Sequence, residues 1–421
     1  MSDPAAALAP SYPRGQGNTT AGAATPSRAE RVLTSLLRRI DGDALELHTP
    51  THTYHFGHAA SADAVPAAVM QMHDDSVFTR VLRSGDIGFA EAYIDGQWST
   101  PDLRALLAVV MRQRSVLERA VYGSFWGSLL HRITHLARRN TRAGSRRNIH
   151  AHYDLGNAFY AQWLDETMNY SSAWFDGNAS QPLAQAQHRK VARTLDQSGV
   201  GAGSRVLEIC CGWGAVAEAA ARRGAHLTGV TLSTEQLHWA RSRLDGAGLA
   251  AQADLRMQDY RDLAAEGVRY DAIVSVEMFE AVGRAYWPSF FQTLGTCLAP
   301  GGKACVQTIV VRDDLFERYV RSTDFIQQYI FPGGMLPSAQ VFRQQAARAG
   351  LVVREELAFG GDYARTLYLW REQFHARRSA IAALGFDERF MRLWDFYLAY
   401  CEAAFETGQT DVIQFTLEHA R

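Results

Sequence analysis

The sequence has no long apolar run and no excess of charge of either sign. Its 421 residues carry 43 Lys plus Arg against 44 Asp plus Glu, a formal net charge of −1, so overall charge does not predict a nucleic-acid-binding protein. No uninterrupted apolar stretch approaches the ~18–20 residues that a membrane-spanning helix needs. Any action on a membrane is therefore predicted to take place from outside the bilayer, and the length predicts two or three domains.

Cysteine is scarce, and its spacing excludes the common cysteine sites. The chain has no Cys-x-x-Cys pair and no Cys/His spacing suited to zinc. We therefore predict reduced thiols in a cytosolic protein and no metal site. The five cysteines are Cys210, Cys211, Cys297, Cys305 and Cys401.

Composition divides the first part of the chain in two. Residues 1–28 are built mainly from Ala, Pro, Gly, Ser and Thr and lack an apolar signal-peptide core, which predicts a disordered leader. We predict an N-terminal domain over residues 29–117. Apolar and polar residues alternate over 44–48 and 53–56, as in β-strands, on either side of a Thr-Pro-Thr turn. Helical patterns follow at 77–82, 87–93 and from Asp102 to Val110.

Residues 118–150 form a basic, amphipathic segment. No acidic residue lies between Glu118 and Asp154, while seven arginines and four histidines do. Apolar residues over 121–136 recur at helical spacing, so the segment has an apolar face beside a basic one. This pattern predicts either docking on an anionic membrane surface or a solvated linker between domains.

From residue 151 to residue 421, strand patterns alternate with helical patterns. Strands are predicted at 205–209, 226–232, 270–276, 303–311 and 411–417, with helices between them. Repeated β-α units imply right-handed crossovers. We therefore predict an α/β domain with a mostly parallel sheet and helices on both faces.

The strongest local signal is a strand that runs through a glycine turn into a helix, VLEICCGWGA at 206–215. Gly212 and Gly214 let the backbone approach a ligand closely. The turn is neither a dinucleotide fingerprint nor a Walker loop. With Glu208 four residues before Gly212, it resembles the first motif of class I S-adenosylmethionine-dependent methyltransferases.

Two later strand ends predict further cofactor contacts. The second strand ends without the acid that often binds the ribose, so Thr231 or Gln236 would have to replace it. Gln236 has a second interpretation, because Ser233 and Gln236 have the spacing of a helix capping box. Gln258, Asp259 and Tyr260 follow a third strand, where the Asp259 carboxylate could accept a hydrogen bond from adenine.

An ordered set of motifs carries a family resemblance. Beside the glycine loop, the chain contains HYDLGN (152–157), MNYSSAWF (168–175), TLS (231–233), DYRD (259–262), FEAVG (279–283) and YIFPGGMLPS (329–338). Together they resemble the cyclopropane-fatty-acyl-phospholipid synthase family, which is related to the mycolic acid cyclopropane synthases. The resemblance covers about residues 75–421. It implies a Rossmann-like, seven-stranded methyltransferase domain, a smaller α/β or helical N-terminal domain that presents lipid, and cofactor contacts from Tyr170, Ser171 and Leu232.

The resemblance implies methyl transfer from S-adenosylmethionine to a cis double bond in a phospholipid acyl chain, giving a cyclopropane ring through a carbocation. A weak alkene nucleophile requires alignment and exclusion of water. Aromatic faces can stabilise the cation, and the candidates are Tyr170, Trp174, Phe279, Tyr329, Phe331 and Tyr363.

In that family a bicarbonate ion held by a polar cluster is thought to accept the proton. Glu280, Tyr363 and Ile309 match the cluster, whereas Ser172 and Gln307 stand where bacterial members usually have Cys and His. Plant-type members show similar forms. Bicarbonate dependence is thus left open, and without bicarbonate Glu280 itself would be the base.

Other outcomes remain open at this point. Loss of a different proton would give a methylene or methyl-branched chain, and the same fold could methylate oxygen or nitrogen on a small molecule or bind lipid without turnover. The expected partners are unsaturated phospholipids of an anionic membrane surface and a second copy of the chain. The expected location is cytoplasmic, at the inner face of the membrane.

Overall fold

The computed structural model describes residues 25–57, 67–114 and 155–420. The predicted leader, apart from its last four residues, lies outside these ranges. So do the basic segment 118–150 and the residues His152, Tyr153 and Asp154 of the first motif. The domain boundaries drawn from composition stay predictions.

The N-terminal residues form a small four-stranded sheet with three helices. The sheet has the order β2-β1-β3-β4, and the predicted hairpin is confirmed by antiparallel pairing of β1 with β2. The strands are β1 (Leu45–His48), β2 (Thr53–Phe56), β3 (Ala68–Met72) and β4 (Trp98–Ser99), and the helices are α1 (Arg28–Leu37), α2 (Ser76–Ile94) and α3 (Leu103–Arg112).

A glycine kink divides helix α2. Gly85 has φ 60° and ψ −133° inside the helix, a conformation that glycine adopts without a Cβ penalty. This kink explains why the sequence reads as two helical stretches. Helix α3 begins after Asp102, whose carboxylate accepts the backbone N–H of Ala105 at 2.9 Å, an N-cap that satisfies a helix-end donor.

A seven-stranded sheet of order β10-β11-β9-β8-β5-β6-β7 forms the second part of the fold. Strands β9, β8, β5, β6 and β7 are parallel, and β11 is antiparallel to both β9 and β10. This is the predicted α/β sheet. Its strands are β5 (Arg205–Ile209), β6 (His226–Thr231), β7 (Ala253–Met257), β8 (Tyr270–Val276), β9 (Leu298–Val311), β10 (Leu351–Ala358) and β11 (Thr410–His419).

Ten helices accompany this sheet in the described part of the chain. Short 3₁₀ turns at Tyr260–Glu266 and Phe279–Ala281 and a π-helical turn at Ile326–Ile330 lie near the strand ends. None of the helices among the described residues is long and apolar enough to cross a membrane. The helices are α4 (Asn157–Trp163), α5 (Leu183–Gln197), α6 (Ala215–Arg222), α7 (Thr234–Gly246), α8 (Trp287–Cys297), α9 (Asp313–Tyr319), α10 (Ala339–Arg348), α11 (Gly360–Ala376), α12 (Arg378–Ala383) and α13 (Glu388–Glu406).

Helix α13 joins the two sheets into one body. Its buried face shares a single apolar core with α2, α3 and α11. Polar contacts accompany this packing: the Tyr93 hydroxyl donates to Asp395 at 2.9 Å, and the Arg392 guanidinium donates to the Trp98 carbonyl at 3.0 Å. The N-terminal helices are therefore anchored to helix α13, near the C-terminal end of the chain.

Candidate active site

The predicted site residues gather at the carboxyl ends of the parallel strands. Cys210, directly after β5, has φ 71°, and Glu277, directly after β8, has φ 48°. Left-handed backbone at a residue other than glycine is costly, and such residues concentrate at functional sites. Ligands of open α/β sheets bind outside the carboxyl ends of the strands, so both residues lie where a site is expected.

The two glycines of the loop after β5 have different surroundings. Gly214 adopts a left-handed conformation at the N-cap of α6, with φ 85°, and a Cβ there would lie 2.9 Å from the Ala240 Cβ. Gly212 has φ 50°, yet a Cβ would meet nothing within 4 Å. Gly214 thus permits close packing of α6 on α7, whereas Gly212 borders open space suited to a bound cofactor.

Two buried ionisable groups, Glu208 and Lys190, lie close to the start of this loop and to the segment that contains Tyr170. Burial raises the pKa of Glu208 to about 8, against attraction from the Lys190 charge, and its Oε2 has no hydrogen-bond partner. Burial lowers the pKa of Lys190 to about 8. The Lys190 ammonium donates to the Ser171 hydroxyl at 2.6 Å and to the Asn169 side chain at 3.3 Å, so it fixes the segment that contains Tyr170 and Ser171.

Tyr170 lies between the cofactor loop and the C-terminal helices. Its hydroxyl is 2.6 Å from that of Tyr397, and its ring packs at 5.4–5.5 Å from the rings of Tyr160, Trp163 and Trp370. The neighbouring Ser171 carbonyl accepts from Gln187 at 2.8 Å. These contacts hold the Tyr170 ring in one place.

The end of β6 is organised around Thr231. The Thr231 hydroxyl donates to Gln236 Oε1 at 3.2 Å and accepts from the Ser233 backbone at 3.2 Å. Ser233 accepts the Gln236 N–H at 3.3 Å as the N-cap of α7. The Gln236 side chain therefore turns back to Thr231, not to the capping residue, and Leu232 lies half-buried between them.

The end of β7 carries a compact ion pair. Both carboxylate oxygens of Asp259 accept from the Arg261 guanidinium, at 2.5 and 2.8 Å. Gln258 donates to Glu266, and the Tyr260 ring packs on Phe290 at 5.7 Å. Asp259 is thus rigidly oriented by Arg261, and its contact with adenine stays a prediction.

A largely apolar cavity of about 210 Å³ opens beside these strand ends. Of the five predicted catalytic residues, Glu280, Tyr363 and Ile309 line it. Ser172 and Gln307 are fully buried and lie behind a sixth residue, Glu277, which does line the cavity.

Glu277 is the residue that sequence reasoning missed. Its Oε1 accepts from the Ser172 backbone at 2.8 Å and from the Gln307 amide at 2.7 Å, and its Oε2 accepts from the Tyr363 hydroxyl at 2.6 Å. Burial raises the pKa of Glu277, while these three donors and the Lys190 charge oppose the rise. Three donors aimed at one carboxylate favour its ionised form.

Glu280 has a different environment. Its Oε1 accepts from the Ile309 backbone at 2.5 Å and from the Thr308 hydroxyl at 2.9 Å, while its Oε2 is buried without a partner. Burial, with the nearby Glu277 charge second, raises the pKa of Glu280 to about 8. Three donors thus stabilise negative charge on Glu277, whereas Glu280, with one oxygen that has no partner, is the more readily protonated of the two carboxyls.

The cluster does not fit a bicarbonate ion. The Ser172 backbone, the Gln307 amide and the Tyr363 hydroxyl, which would bind it, already donate to Glu277. The Ser172 hydroxyl donates instead to the Ala173 carbonyl at 2.9 Å. A carboxylate of the chain itself thus takes the donors that the resemblance assigns to the anion.

A second layer orients the Gln307 amide. Its Oε1 accepts from Gln414 at 3.0 Å, so its amino group faces Glu277. Gln414 in turn accepts from the Arg193 guanidinium at 2.9 Å, and Arg193 pairs with Glu355 at 2.7 Å. This chain of contacts runs from the surface to the cavity.

Three of the six aromatic candidates line the cavity, namely Tyr170, Phe331 and Tyr363. The other three lie elsewhere: Trp174 near Arg193, Phe279 in the core beside Trp287, and Tyr329 bonded to Glu91. The cavity also has aromatic walls that the sequence did not indicate, from Tyr397, Tyr400 and Phe405.

The Phe-Pro-Gly-Gly segment closes one side of the cavity and is bonded to the backbone of Glu280. The Met335 backbone donates to the Glu280 carbonyl at 2.8 Å, and Gln327 donates to the Gly334 carbonyl at 3.0 Å. Gln327 belongs to the π-helical turn, an irregularity common at functional sites. The segment therefore positions the backbone of Glu280.

The comparisons with known proteins agree with this geometry. A family model described as mycolic acid cyclopropane synthetase matches residues 140–415. Tuberculostearic acid methyltransferase UfaA1 of Mycobacterium tuberculosis is 42% identical over 88% of each chain. The cyclopropane-fatty-acyl-phospholipid synthase of Escherichia coli K12 is 34% identical over 83% of this chain and 87% of its own.

Among solved structures, mycolic acid cyclopropane synthase CmaA1, complexed with SAH and CTAB, superposes with a TM-score of 0.60 and 28% identity. The match covers 65% of this chain and 97% of that one. The chain therefore belongs to the mycolic acid cyclopropane synthetase family and is an S-adenosylmethionine-dependent methyltransferase that acts on lipid double bonds.

Proposed function

We propose that the chain methylates a cis double bond in an acyl chain of a membrane phospholipid and passes the resulting proton to Glu277. The observation that carries this proposal is an apolar, aromatic-walled cavity at the carboxyl ends of β8 and β9, which contains a carboxylate held by three donors. An acyl chain fits the apolar lining, and a cationic intermediate fits the carboxylate.

The chain's residues supply alignment and electrostatics. When bound, S-adenosylmethionine supplies an electrophilic methyl group. As the alkene forms a bond to that methyl carbon, the carbon–sulfur bond breaks and a cation is left on the adjacent chain carbon. The faces of Tyr170, Phe331 and Tyr363 stabilise that cation, and the apolar lining keeps out water that would trap it as an alcohol.

Proton removal ends the reaction. Glu277, whose carboxylate form is stabilised by its three donors, stabilises the cation and accepts a proton from the lipid. Glu280, whose pKa burial raises to about 8, is largely neutral near pH 7 and adds no second charge. This assignment replaces the expectation that Glu280 itself acts as the base.

Two products balance without any reductant, and they differ in where the cation lies when the proton leaves. If the cation stays on the carbon next to the methylated one, loss of a proton from the new methyl group closes a cyclopropane ring. If a hydride first moves from the methylated carbon to that neighbour, the cation lies on the methylated carbon, and loss of a proton from the methyl group gives a methylene branch. We propose the methylene product, supported by the 42% identical tuberculostearic acid methyltransferase. Cyclopropane is the second candidate, supported by the 34% identical synthase.

The proposed substrate is a lipid of an anionic membrane surface, reached from the cytoplasmic side by peripheral binding. The basic segment 118–150 is the proposed contact, with about 1 kcal/mol expected per well-placed cation. A homodimer is proposed on the resemblance alone.

The test uses the full chain, methyl-labelled S-adenosylmethionine and phosphatidylglycerol vesicles that carry oleoyl chains. We expect labelled lipid with the acyl mass raised by one CH₂, and mass spectrometry of the derivatised chains separates methylene from cyclopropane. Vesicles with only saturated chains are the control. No label in lipid across several head groups and double-bond positions would refute the proposal, as would label only on soluble oxygen or nitrogen acceptors.

A further inference from the structure

A second apolar cavity lies inside the N-terminal part of the fold. Its volume is about 170 Å³, and it is enclosed by the small sheet, α1, α2, α3 and α13. Leu47, Met70, Phe78 and Val110 are among its lining residues. None of the residues assigned to methyl or proton transfer lines this cavity.

This cavity adjoins the catalytic cavity at a polar waist. Met111, Arg114 and Tyr400 line both. Asp86 lines the N-terminal side, next to the Gly85 kink, and Asp324 the catalytic side.

The polar groups of the waist interact with one another. The Arg114 guanidinium donates to Gln409 at 3.3 Å, and the charges of Asp86 and Arg114 both act on Asp324. Charged groups are thus concentrated at the boundary where the lining residues of the two cavities overlap.

We propose that the N-terminal cavity binds the second acyl chain of the same diacyl phospholipid, with the glycerol ester groups at the waist. This inference rests on the proposed function. A diacyl lipid has the matching layout, since two apolar chains are joined by short polar esters. The Gln409 amino group donates one N–H to the Met111 carbonyl at 2.6 Å. Its second N–H and the fork of N–H donors on Arg114 can donate to ester carbonyls.

The polar waist distinguishes this occupant from the far end of the methylated chain. Threading methylene groups past Asp86, Arg114 and Asp324 would desolvate those charges without any new hydrogen bond. Ester oxygens would instead compensate part of that desolvation. The cavity therefore selects a lipid with two chains over a single-chain acyl donor.

Photo-crosslinking tests the placement directly on the unmodified chain. The probe is a phosphatidylglycerol with one oleoyl chain and one saturated chain that ends in a diazirine. We expect crosslinks on residues that line the N-terminal cavity, such as Leu47, Met70 and Phe78. A matched lipid with the diazirine on the unsaturated chain should label the catalytic cavity. Labelling of the N-terminal cavity by the unsaturated chain, or of neither cavity by the saturated one, would overturn the inference.

Cavity-filling variants give the functional test. Val81→Phe and Val110→Phe place extra atoms in the N-terminal cavity, while Val32→Phe makes the same change at an exposed position of α1. We expect kcat/KM on the two-chain lipid to fall at least tenfold for the first two variants and to stay unchanged for the third. Activity on oleoyl lysophosphatidylglycerol should stay within about twofold throughout.

The two substrates separate the possible failures. Equal loss on both lipids, with cofactor affinity and melting temperature unchanged, would show that the cavity does not distinguish the second chain and would overturn the inference. Absence of methyl transfer by the unsubstituted chain to either lipid would instead overturn the proposed function. If the variants fold poorly, the crosslinking pattern decides alone.

Discussion

Substitution of Glu277 by Gln gives the sharpest test of the catalytic assignment. The change removes the charge and keeps the shape, because the amide oxygen can replace Oε1 as acceptor for the Ser172 backbone and the Gln307 amide. The amino group then faces Tyr363, whose hydroxyl can accept in place of donating. We therefore expect the fold and cofactor affinity to survive.

The expected loss is in the chemical step. A positioned general base contributes about 10²–10⁴-fold in rate, which corresponds to roughly 3–5.5 kcal/mol of activation free energy. The loss of a buried charge close to a cationic intermediate acts in the same direction. Single-turnover methyl transfer should thus slow by at least about 100-fold, while the dissociation constant for S-adenosylmethionine changes little.

The assay measures label transfer to oleoyl phosphatidylglycerol at saturating cofactor, with and without added bicarbonate. Glu355→Gln is the matched control, since Glu355 belongs to the outer end of the same network and is half-exposed. Its rate should stay within about threefold of the original. A Glu277→Gln rate within that range, or its restoration by bicarbonate, would refute the assignment of Glu277 as proton acceptor.

Three further experiments use substitutions to test the surroundings of the site. Glu280→Gln removes a carboxyl whose pKa burial raises from 4.5 to about 8. The folded form binds an extra proton between those values, so the unfolding free energy of the original protein should fall as pH rises from 5 to 8. Urea titrations at several pH values should show that the unfolding free energy of the variant falls less over this range, by at most about 4–5 kcal/mol. The same pH dependence in both proteins would contradict this. Gly212→Ala should weaken cofactor binding, measured by calorimetry, while costing only about 1–2 kcal/mol of stability. Gly214→Ala should lower the melting temperature more, because its Cβ would meet Ala240. A larger loss of stability for Gly212→Ala than for Gly214→Ala would contradict the roles assigned to the two glycines. Lys190→Met should cost about 1–3 kcal/mol in chemical denaturation, because the buried Asn169 and Ser171 side chains lose their shared donor. An unchanged unfolding free energy would contradict this role of Lys190.

The sequence predicted the sheet because buried strands and amphipathic helices leave periodic patterns. The hairpin at Leu45–Phe56 and the strand at Thr410–His419 were recognisable for that reason. The joining of the two parts by α13 was not, since contacts between residues about 300 positions apart leave no local pattern.

The site was predictable only where a residue belonged to a recognised motif. Motifs pointed in that way to Glu280 and Tyr363, which line the cavity, and to the glycine loop. Glu277 was missed because its role arises from three donors on three different segments, which only the fold brings together. One signal was available: Glu277 directly follows a buried strand at the ligand-binding edge of a parallel sheet.

The contact of the early helices with α13 has a consequence for synthesis of the chain. Tyr93 and Arg104 form bonds with Asp395 and Glu406, 302 positions later in each case. During synthesis on the ribosome, the apolar faces of α2 and α3 therefore stay exposed until residues 388–406 have been made and can pack on them. Nascent chains that stop before α13 would expose these faces, which makes them targets for chaperones and proteases.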